Sequence, residues 1–96
     1  MKFEWDDKKS FINKQKHGID FNTAMDLWND DNRVEIYVPY PSEERYILIG
    51  KADSKIWSAI FTLRGEAVRI ISVRRSRKKE VMLYEEKGYG KKSGRI

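Results

Sequence analysis

The sequence predicts an α+β fold with two N-terminal helices, a four-stranded antiparallel sheet and a C-terminal basic helix. Two stretches with the helical spacing of apolar residues come first. Four apolar runs with β-strand character follow, and their connections are too short for the crossover helices that parallel strands need. The spacing turns helical again after Arg75. We expect one small domain over residues 1–87, with the helices packed on one face of the sheet.

The first helix is predicted over residues 7–17, and Asp6 or Asp7 can cap its start. Its last turn is basic and a glycine follows: Lys14, Lys16, His17 and Gly18. This order of charges complements the helix dipole, and glycine is favoured just past a helix end. Phe11 and Ile12 are the apolar residues of this helix, so we expect them to form its buried side.

The second helix and the four strands follow in order. Asp20 offers another N-cap, and one apolar helical face begins after it: Phe21, Ala24, Met25 and Trp28. Strands are predicted over residues 34–38, 45–51, 56–63 and 68–73. The earlier stretch Phe3-Glu4-Trp5 is interpreted as a short strand or an apolar lead-in. The predicted core draws on both helices and three strands: Phe11, Phe21, Trp28, Ile47, Ile49, Trp57, Phe61 and Ile70.

Composition restricts the classes of function. The chain has no cysteine and one histidine, His17, so we expect no disulfide, no metal site and no other cofactor. No apolar run could span a bilayer and no signal peptide is present, which predicts a cytoplasmic protein without membrane contact. Residues 1–68 hold ten Lys/Arg against twelve Asp/Glu, whereas residues 69–96 hold ten against three. The positive C-terminal third indicates a polyanionic or acidic partner.

Charged residues flank the last two strands. Arg64 and Glu66 lie in the turn between these strands, and Arg74 and Arg75 follow the second one. We expect the hairpin to bring all four to one place, where the arginines hold a phosphate. RNA cleavage needs cations to stabilise the phosphorane and a base for the 2′ proton, and Glu66 is the candidate base. Alternatively, Arg64 and Glu66 are polar turn residues and the basic run is a solvated helix start.

Further residues near the hairpin are candidates for RNA binding: Arg69, Arg77, Lys78, Lys79 and Tyr84. Tyr84 lies on the basic helix and either reaches the phosphate site or packs inward. Three other tyrosines could either stack on RNA bases or pack within the protein: Tyr37, Tyr40 and Tyr46. We expect them to pack. His17 is interpreted first as a residue at a helix C-terminus, with a catalytic acid–base role as the alternative.

Four motifs occur in series: Phe3-Glu4-Trp5-Asp6, Lys16-His17-Gly18-Ile19-x-Phe21-x-x-Ala24, Arg45-x-x-x-Ile49-Gly50 and Arg69-Ile70-Ile71-Ser72-x-Arg74-Arg75. In order and spacing they resemble the BrnT family of type II toxins, over the chain from about Phe3 to Glu86. The resemblance implies a RelE-like fold and a toxin that cleaves RNA and so arrests translation and growth. By position, the residues of the family's site fall on Arg64, Glu66, Arg74 and Arg75. For the Lys-His-Gly element, Lys16 to Gly18, we expect a structural role ahead of a catalytic one.

The resemblance also implies partners. A BrnA-like antitoxin would neutralise the toxin, and operator DNA would be bound only through that antitoxin. Val73 and Ser76 stand where the family often has alanines. Residues 88–96 are expected to form a flexible basic tail. The alternative function is a non-catalytic basic module for nucleic acid or an acidic partner protein, whose binding weakens with salt while RNA stays intact.

Overall fold

The computed structural model describes residues 1–93, with side chains for residues 1–86. The elements in chain order are β1 Lys2–Glu4, α1 Asp7–His17, α2 Phe21–Ala24 with a 3-10 turn Met25–Asn29, β2 Val34–Val38, β3 Arg45–Ala52, β4 Lys55–Arg64, β5 Ala67–Arg75 and α3 Lys78–Ser93. Of the predicted flexible tail, residues 88–93 are described only as the last part of α3, and residues 94–96 lie outside the described residues.

The sheet has five strands in the order β1-β5-β4-β3-β2, and it is mixed. Strands β2 to β5 form the predicted antiparallel meander. The prediction of a purely four-stranded antiparallel sheet is wrong, because β1 adds a parallel strand at the outer edge of β5. The interpretation of Phe3-Glu4-Trp5 as a short strand is confirmed for its first two residues. Phe3 pairs with Val68, and its ring meets that of Trp28 edge to face at 5.1 Å.

The two N-terminal helices differ in how well they match their prediction. Helix α1 has the predicted bounds: the Asp6 carboxylate caps its start, and Gly18 ends it with a φ of 82°, a left-handed conformation that suits glycine. Asp20 caps the second helix as predicted, by accepting from the backbone N–H of Thr23 at 2.8 Å. That helix is regular only over Phe21–Ala24 and tightens into a 3-10 turn over Met25–Asn29.

The helices lie on both faces of the sheet, so the prediction that they share one face is wrong. Residues of α2 and the 3-10 turn pack with alternate residues of β3, β4 and β5 in the main core: Phe21, Leu27, Trp28, Leu48, Ala59, Phe61, Ile70 and Val73. Side chains alternate along a strand, so Ile49, next to Leu48, points to the opposite face. Ile49 is nevertheless fully buried, because α3 packs across β3 and β2 on that side.

Helix α1 packs through polar residues, which contradicts the prediction for Phe11 and Ile12. These two side chains are 65% and 52% exposed. The buried side carries Asn13, whose amide nitrogen donates to the carbonyl oxygens of Ile19 and Val73, both at 2.8 Å. Its amide oxygen accepts from the N–H of Val73 at 3.1 Å. β1 ends before this part of β5, so the Asn13 amide takes the place of a neighbouring strand there.

Candidate functional site

The sheet face opposite α1 and α2, called here the open face, carries a row of arginines. Thr62 pairs with Arg69, Arg64 with Ala67, and Ser58 with Arg74 on the β4–β5 ladder. Paired residues share a face, and these positions alternate with the core residues Phe61 and Ile70. By the same alternation, Arg45 lies on this face because its neighbour Tyr46 pairs with Phe61 on the core side. The open face thus presents four guanidinium groups: Arg45, Arg64, Arg69 and Arg74.

Three of these arginines have a carboxylate partner within the chain. Arg45 contacts Glu43 at 3.0 Å, Arg69 contacts Glu4 at 3.0 Å, and Arg74 contacts Glu80 at 2.7 Å. The guanidinium of Arg45 also lies 4.0 Å from the centre of the Tyr40 ring. Arg64 has no hydrogen bond or ion pair within the described part of the chain. Its five N–H donors are therefore available to an incoming anion.

The pair Arg74–Glu80 fastens the start of α3 to the end of the β4–β5 hairpin. The guanidinium donates to both carboxylate oxygens of Glu80, at 2.7 and 2.8 Å. The carboxylate also accepts from the hydroxyl of Ser58 at 3.0 Å and from the N–H of Arg77 at 2.8 Å. The hydrogen bonds from Arg74, ahead of those from the backbone and Ser58, lower the pKa of Glu80 to about 2. Glu80 is thus ionised at neutral pH and poorly suited to accept a proton.

The prediction that the hairpin gathers Arg64, Glu66, Arg74 and Arg75 in one place is wrong. Arg64 and Glu66 lie at the tip of the hairpin, whereas Arg74 and Arg75 lie where it ends. From Ser58, the partner of Arg74, to Arg64 is six residues of extended strand, or about 20 Å. Arg75 also points to the other face, where its guanidinium carbon lies 5.6 Å from the centre of the Trp57 ring. Glu66 is exposed, without the burial that a tuned base would need.

The residues predicted to bind RNA divide into three groups. Arg69 lies on the open face near the tip of the β4–β5 hairpin, because its partner Thr62 is only two residues before Arg64. Three cations are exposed at the start of α3: Arg77, Lys78 and Lys79. Tyr84 points inward, with 8% of its surface exposed, and donates its hydroxyl to Asp30 at 2.6 Å. Burial first, and then this contact with a carboxylate, raise the pKa of Tyr84. In this conformation Tyr84 cannot stack on RNA.

His17 lies in the last turn of α1, as predicted. It is half-buried and lines a groove between α1 and β5 together with Ser72. Within the residues described, no hydrogen bond or ion pair gives it an acid–base partner.

Two carboxylates that contact the arginines, Glu4 and Glu80, were not predicted from the sequence. Arg77 is the residue before α3, and Glu80 stands three residues after it. A glutamate at this spacing is a sequence signal for the start of a helix. That signal was available. Glu4 reaches Arg69 only because β1 pairs with β5, a contact 65 residues apart in the chain. No local pattern predicts such a pairing.

The structure is that of a small sheet with a cationic face. A comparison of the sequence with family models identifies the family to which the chain belongs. The model for the ribonuclease toxin BrnT of type II toxin-antitoxin systems matches residues 5–80, about four fifths of the chain. The chain belongs to this family. The resemblance noted in the sequence is thereby confirmed, and membership of a type II family implies an antitoxin partner for this BrnT chain. No curated protein matched it at a significant level.

Two further observations concern the described residues alone. None of their helices is long and apolar enough to cross a membrane. The same part of this BrnT chain holds no group of three or more His, Cys, Asp or Glu side chains that could bind a metal ion.

Proposed function

We propose that this BrnT protein is a metal-independent endoribonuclease with a RelE-like fold, which cuts RNA on the open face and so arrests translation and growth. The observation that carries the proposal is the row of arginines along β3, β4 and β5 in a chain of a ribonuclease toxin family. Guanidinium groups bind phosphate through paired, permanently charged donors. A single RNA strand laid along the hairpin would meet Arg64 and Arg69 near its tip and Arg74 at its other end.

Arg64 and Arg69 are the best placed to hold the phosphate that is cut. Arg69 pairs across the ladder with Thr62, and Arg64 is two residues further along the same strand as Thr62. Both side chains therefore rise from neighbouring positions on one face. In the reaction, the ribose 2′-hydroxyl loses its proton and attacks the adjacent phosphorus, which forms a 2′,3′-cyclic phosphate, and the 5′ oxygen leaves with a proton taken from water. Two guanidinium groups would stabilise the extra negative charge of the phosphorane.

Glu4 and Glu66 are the two candidates for the base. Glu66 is two residues after Arg64 in the turn between β4 and β5, and it is the base predicted from the sequence. Glu4 is better placed, because its carboxylate already contacts Arg69 at 3.0 Å on the open face. A phosphate that binds Arg69 would displace Glu4 from the ion pair. The released carboxylate would then lie beside the phosphate and accept the 2′ proton.

A BrnA-like antitoxin is the partner that we propose for neutralisation, with operator DNA bound through the antitoxin alone. The open face is half-exposed and mixes apolar side chains with its arginines, for example Ile36 and Ile47. An antitoxin segment that lies on this face would exclude RNA from Arg64 and Arg69. Toxin and antitoxin would meet in the cytoplasm, where RNA is translated.

The test is RNA cleavage by the purified chain in excess EDTA, with the new 5′ ends mapped. Wild type is expected to cut. Arg64→Ala and Arg69→Ala are each expected to lower the rate by at least tenfold, because removing one donor to a transition state typically costs about a hundredfold or more. Lys55→Ala, which removes an exposed cation at the start of β4, is the matched control. Glu4→Gln and Glu66→Gln compare the two bases, and the variant with the larger rate loss marks the base.

Two outcomes would contradict the proposal. Folded wild-type protein that binds RNA with steep salt dependence but never cuts it would favour a non-catalytic basic module. Cleavage that EDTA abolishes and added divalent cation restores would show that the reaction needs a metal.

A further inference from the structure

A groove lies between α1 and β5, beside the open face. It has a volume of about 160 Å³ and is lined by Lys9, Ile12, Lys16, His17, Ile71 and Ser72. We call it the α1–β5 groove. It exists because Asn13 holds α1 against the edge of β5, and because Ile71 bulges out of the ladder there. Ile60 pairs with Ser72 and Phe61 with Ile70, which leaves Ile71 without a partner on β4.

Helical spacing directs the cations of α1 into this groove. Lys9, Ile12 and Lys16 stand at positions i, i+3 and i+7 and so lie on one flank of the helix. Asn13 and His17 follow on the side that faces β5. Lys14 lies on the opposite flank, in a different cavity of about 240 Å³ that also contains the carboxylates Asp26 and Asp53. The two cavities beside α1 therefore differ in charge.

Among the described residues, no carboxylate lines the α1–β5 groove. Within the described residues, neither Lys9 nor Lys16 makes an ion pair, in contrast to Arg45, Arg69 and Arg74 on the open face. The groove also contains hydrogen-bonding groups in the ring of His17 and the hydroxyl of Ser72. Two ammonium groups, a hydroxyl and an imidazole around a small depression suit an anion, and the oxygens of a phosphate can accept hydrogen bonds from these groups.

The groove is continuous with the open face. Ser72 pairs with Ile60 and shares the face of Arg69 and Arg74, while it also lines the groove. The N-terminal end of α1 gives a second link between groove and face. Backbone N–H groups of Lys9 and Lys8, and then the charges of Lys9 and Arg69, lower the pKa of Asp6. Lys9 and Arg69 thus act on the same carboxylate, whose Oδ1 is occupied as the cap of α1.

We propose that the α1–β5 groove is a phosphate subsite for the RNA substrate, filled by a phosphate next to the one held on the open face. The RNA strand would leave the arginine row at Ser72 and turn over the edge of β5 between Lys9 and Lys16. This inference rests on the proposed function, because it assigns a second contact to the same substrate. It gives the Lys16-His17 motif a role in binding beyond ending a helix.

The experiment measures binding of a short fluorescein-labelled 2′-O-methyl oligoribonucleotide, which cannot be cut by attack of a 2′-hydroxyl. Affinities are measured by anisotropy at several salt concentrations for wild type and two double variants. Lys9→Gln/Lys16→Gln removes the groove cations. Lys14→Gln/Lys55→Gln removes two exposed cations outside the groove and is the matched control. Glutamine keeps the helix propensity of lysine, and melting temperatures confirm that both variants are folded.

Only the groove variant, Lys9→Gln/Lys16→Gln, is expected to differ from wild type in RNA affinity and in its salt dependence. For a single strand, one phosphate contact contributes about 0.7 to the slope of log affinity against log salt concentration. The slope of the groove variant should therefore be smaller by about 0.7, and its affinity at physiological salt should be lower by about fourfold. Equal losses in both double variants would show a general charge effect and overturn the inference. So would unchanged RNA binding in a groove variant that no longer binds the antitoxin, since the groove would then be a protein-binding site.

The two proposals fail separately. Wild type that cuts RNA, together with a groove variant that binds like wild type, refutes the subsite and leaves the ribonuclease proposal standing. Wild type that never cuts refutes the ribonuclease proposal, and the salt slopes still report on the groove because the probe is not cleaved.

Discussion

Replacing Glu80 with glutamine tests what holds α3 on the sheet. The substitution keeps the shape of the side chain and an oxygen that accepts from the N–H of Arg77. It removes the negative charge opposite Arg74, whose two donors lie 2.7 and 2.8 Å from the carboxylate oxygens. Arg74 is then left half-buried without a counter-charge. We expect Glu80→Gln to destabilise the folded state at neutral pH.

The magnitude follows from the protonation of Glu80. A change of its pKa from 4.5 in the unfolded chain to about 2 in the folded one corresponds to about 3 kcal/mol. The side chains of Arg74 and Glu80 are 19% and 14% exposed, so solvent screening reduces the net effect to about 2 kcal/mol. For a domain of this size, such a loss lowers the melting temperature by roughly 8 to 16 °C.

The pH dependence gives the sharper test. A carboxyl whose pKa is lowered by folding contributes its full stabilisation above the unfolded value of 4.5 and loses it as the pH falls towards 2. Urea denaturation of wild type should therefore show falling stability between pH 5 and pH 2, in roughly that window. Glu80→Gln should lack this component, and the two proteins should converge in stability at the acid end.

The control is Glu85→Gln, an exposed acid on the same helix. It is expected to change stability by less than about 0.5 kcal/mol and to keep the wild-type pH profile. The reasoning is refuted if Glu80→Gln is as stable as wild type at neutral pH. A Glu80→Gln variant that is less stable but has the wild-type profile below pH 4.5 would refute the assignment of the acid transition to Glu80.

Three further substitutions test the contacts that shape the fold, each by denaturant unfolding. Asn13→Ala is expected to cost about 3 kcal/mol, because the N–H and carbonyl of Val73 lose their partners; Gln15→Ala on the exposed side of α1 is the control, and equal losses would contradict the role of the amide. Gly50→Ala should cost about 1 to 3 kcal/mol, since the added Cβ would lie 3.1 Å from the carbonyl oxygen of Leu27; unchanged stability would mean that the backbone shifts freely there. Tyr84→Phe should cost about 1 kcal/mol by removing the hydroxyl that Asp30 accepts from, and a stabilised variant would speak against that hydrogen bond.

The strands and the first helix could be predicted from the sequence because their signals are local. Residues 7–17 carry a cap, a basic last turn and a glycine, and α1 has those bounds. The four predicted strands lie within two residues of β2 to β5 at every end. β1 was recognised only as a short strand or lead-in, because its parallel partner β5 lies more than 60 residues away and no neighbouring turn fixes the register.

Side-chain burial on α1 was predicted wrongly for a physical reason. Phe11 and Ile12 are its only apolar residues, and an apolar stripe normally marks the buried side. Here the edge of β5 has free backbone groups that need hydrogen bonds, and Asn13 satisfies them. The polar requirement of the strand edge therefore outweighed the apolar preference of two side chains.

The positions of the site residues show a different limit of prediction from the sequence. Side chains of adjacent strand residues point to opposite faces, so Arg74 and Arg75 could not share one phosphate once β5 extended through both. The length of the hairpin likewise separates its tip from its end. Both consequences follow from strand geometry, but only after the end of β5 is known, and strand ends are set by pairing rather than by composition.

The parallel pairing of β1 with β5 sets the order in which this protein can assemble. Glu4 and Arg69 are 65 residues apart, and one of the longest loops in the chain must close before they meet. During synthesis β1 leaves the ribosome first and has no partner until β5 has followed. The helices and the meander can form earlier from contacts close in sequence. Chains that stop short of β5 therefore lack Arg69 and Arg74, so that only nearly complete copies of this toxin carry the finished cationic face.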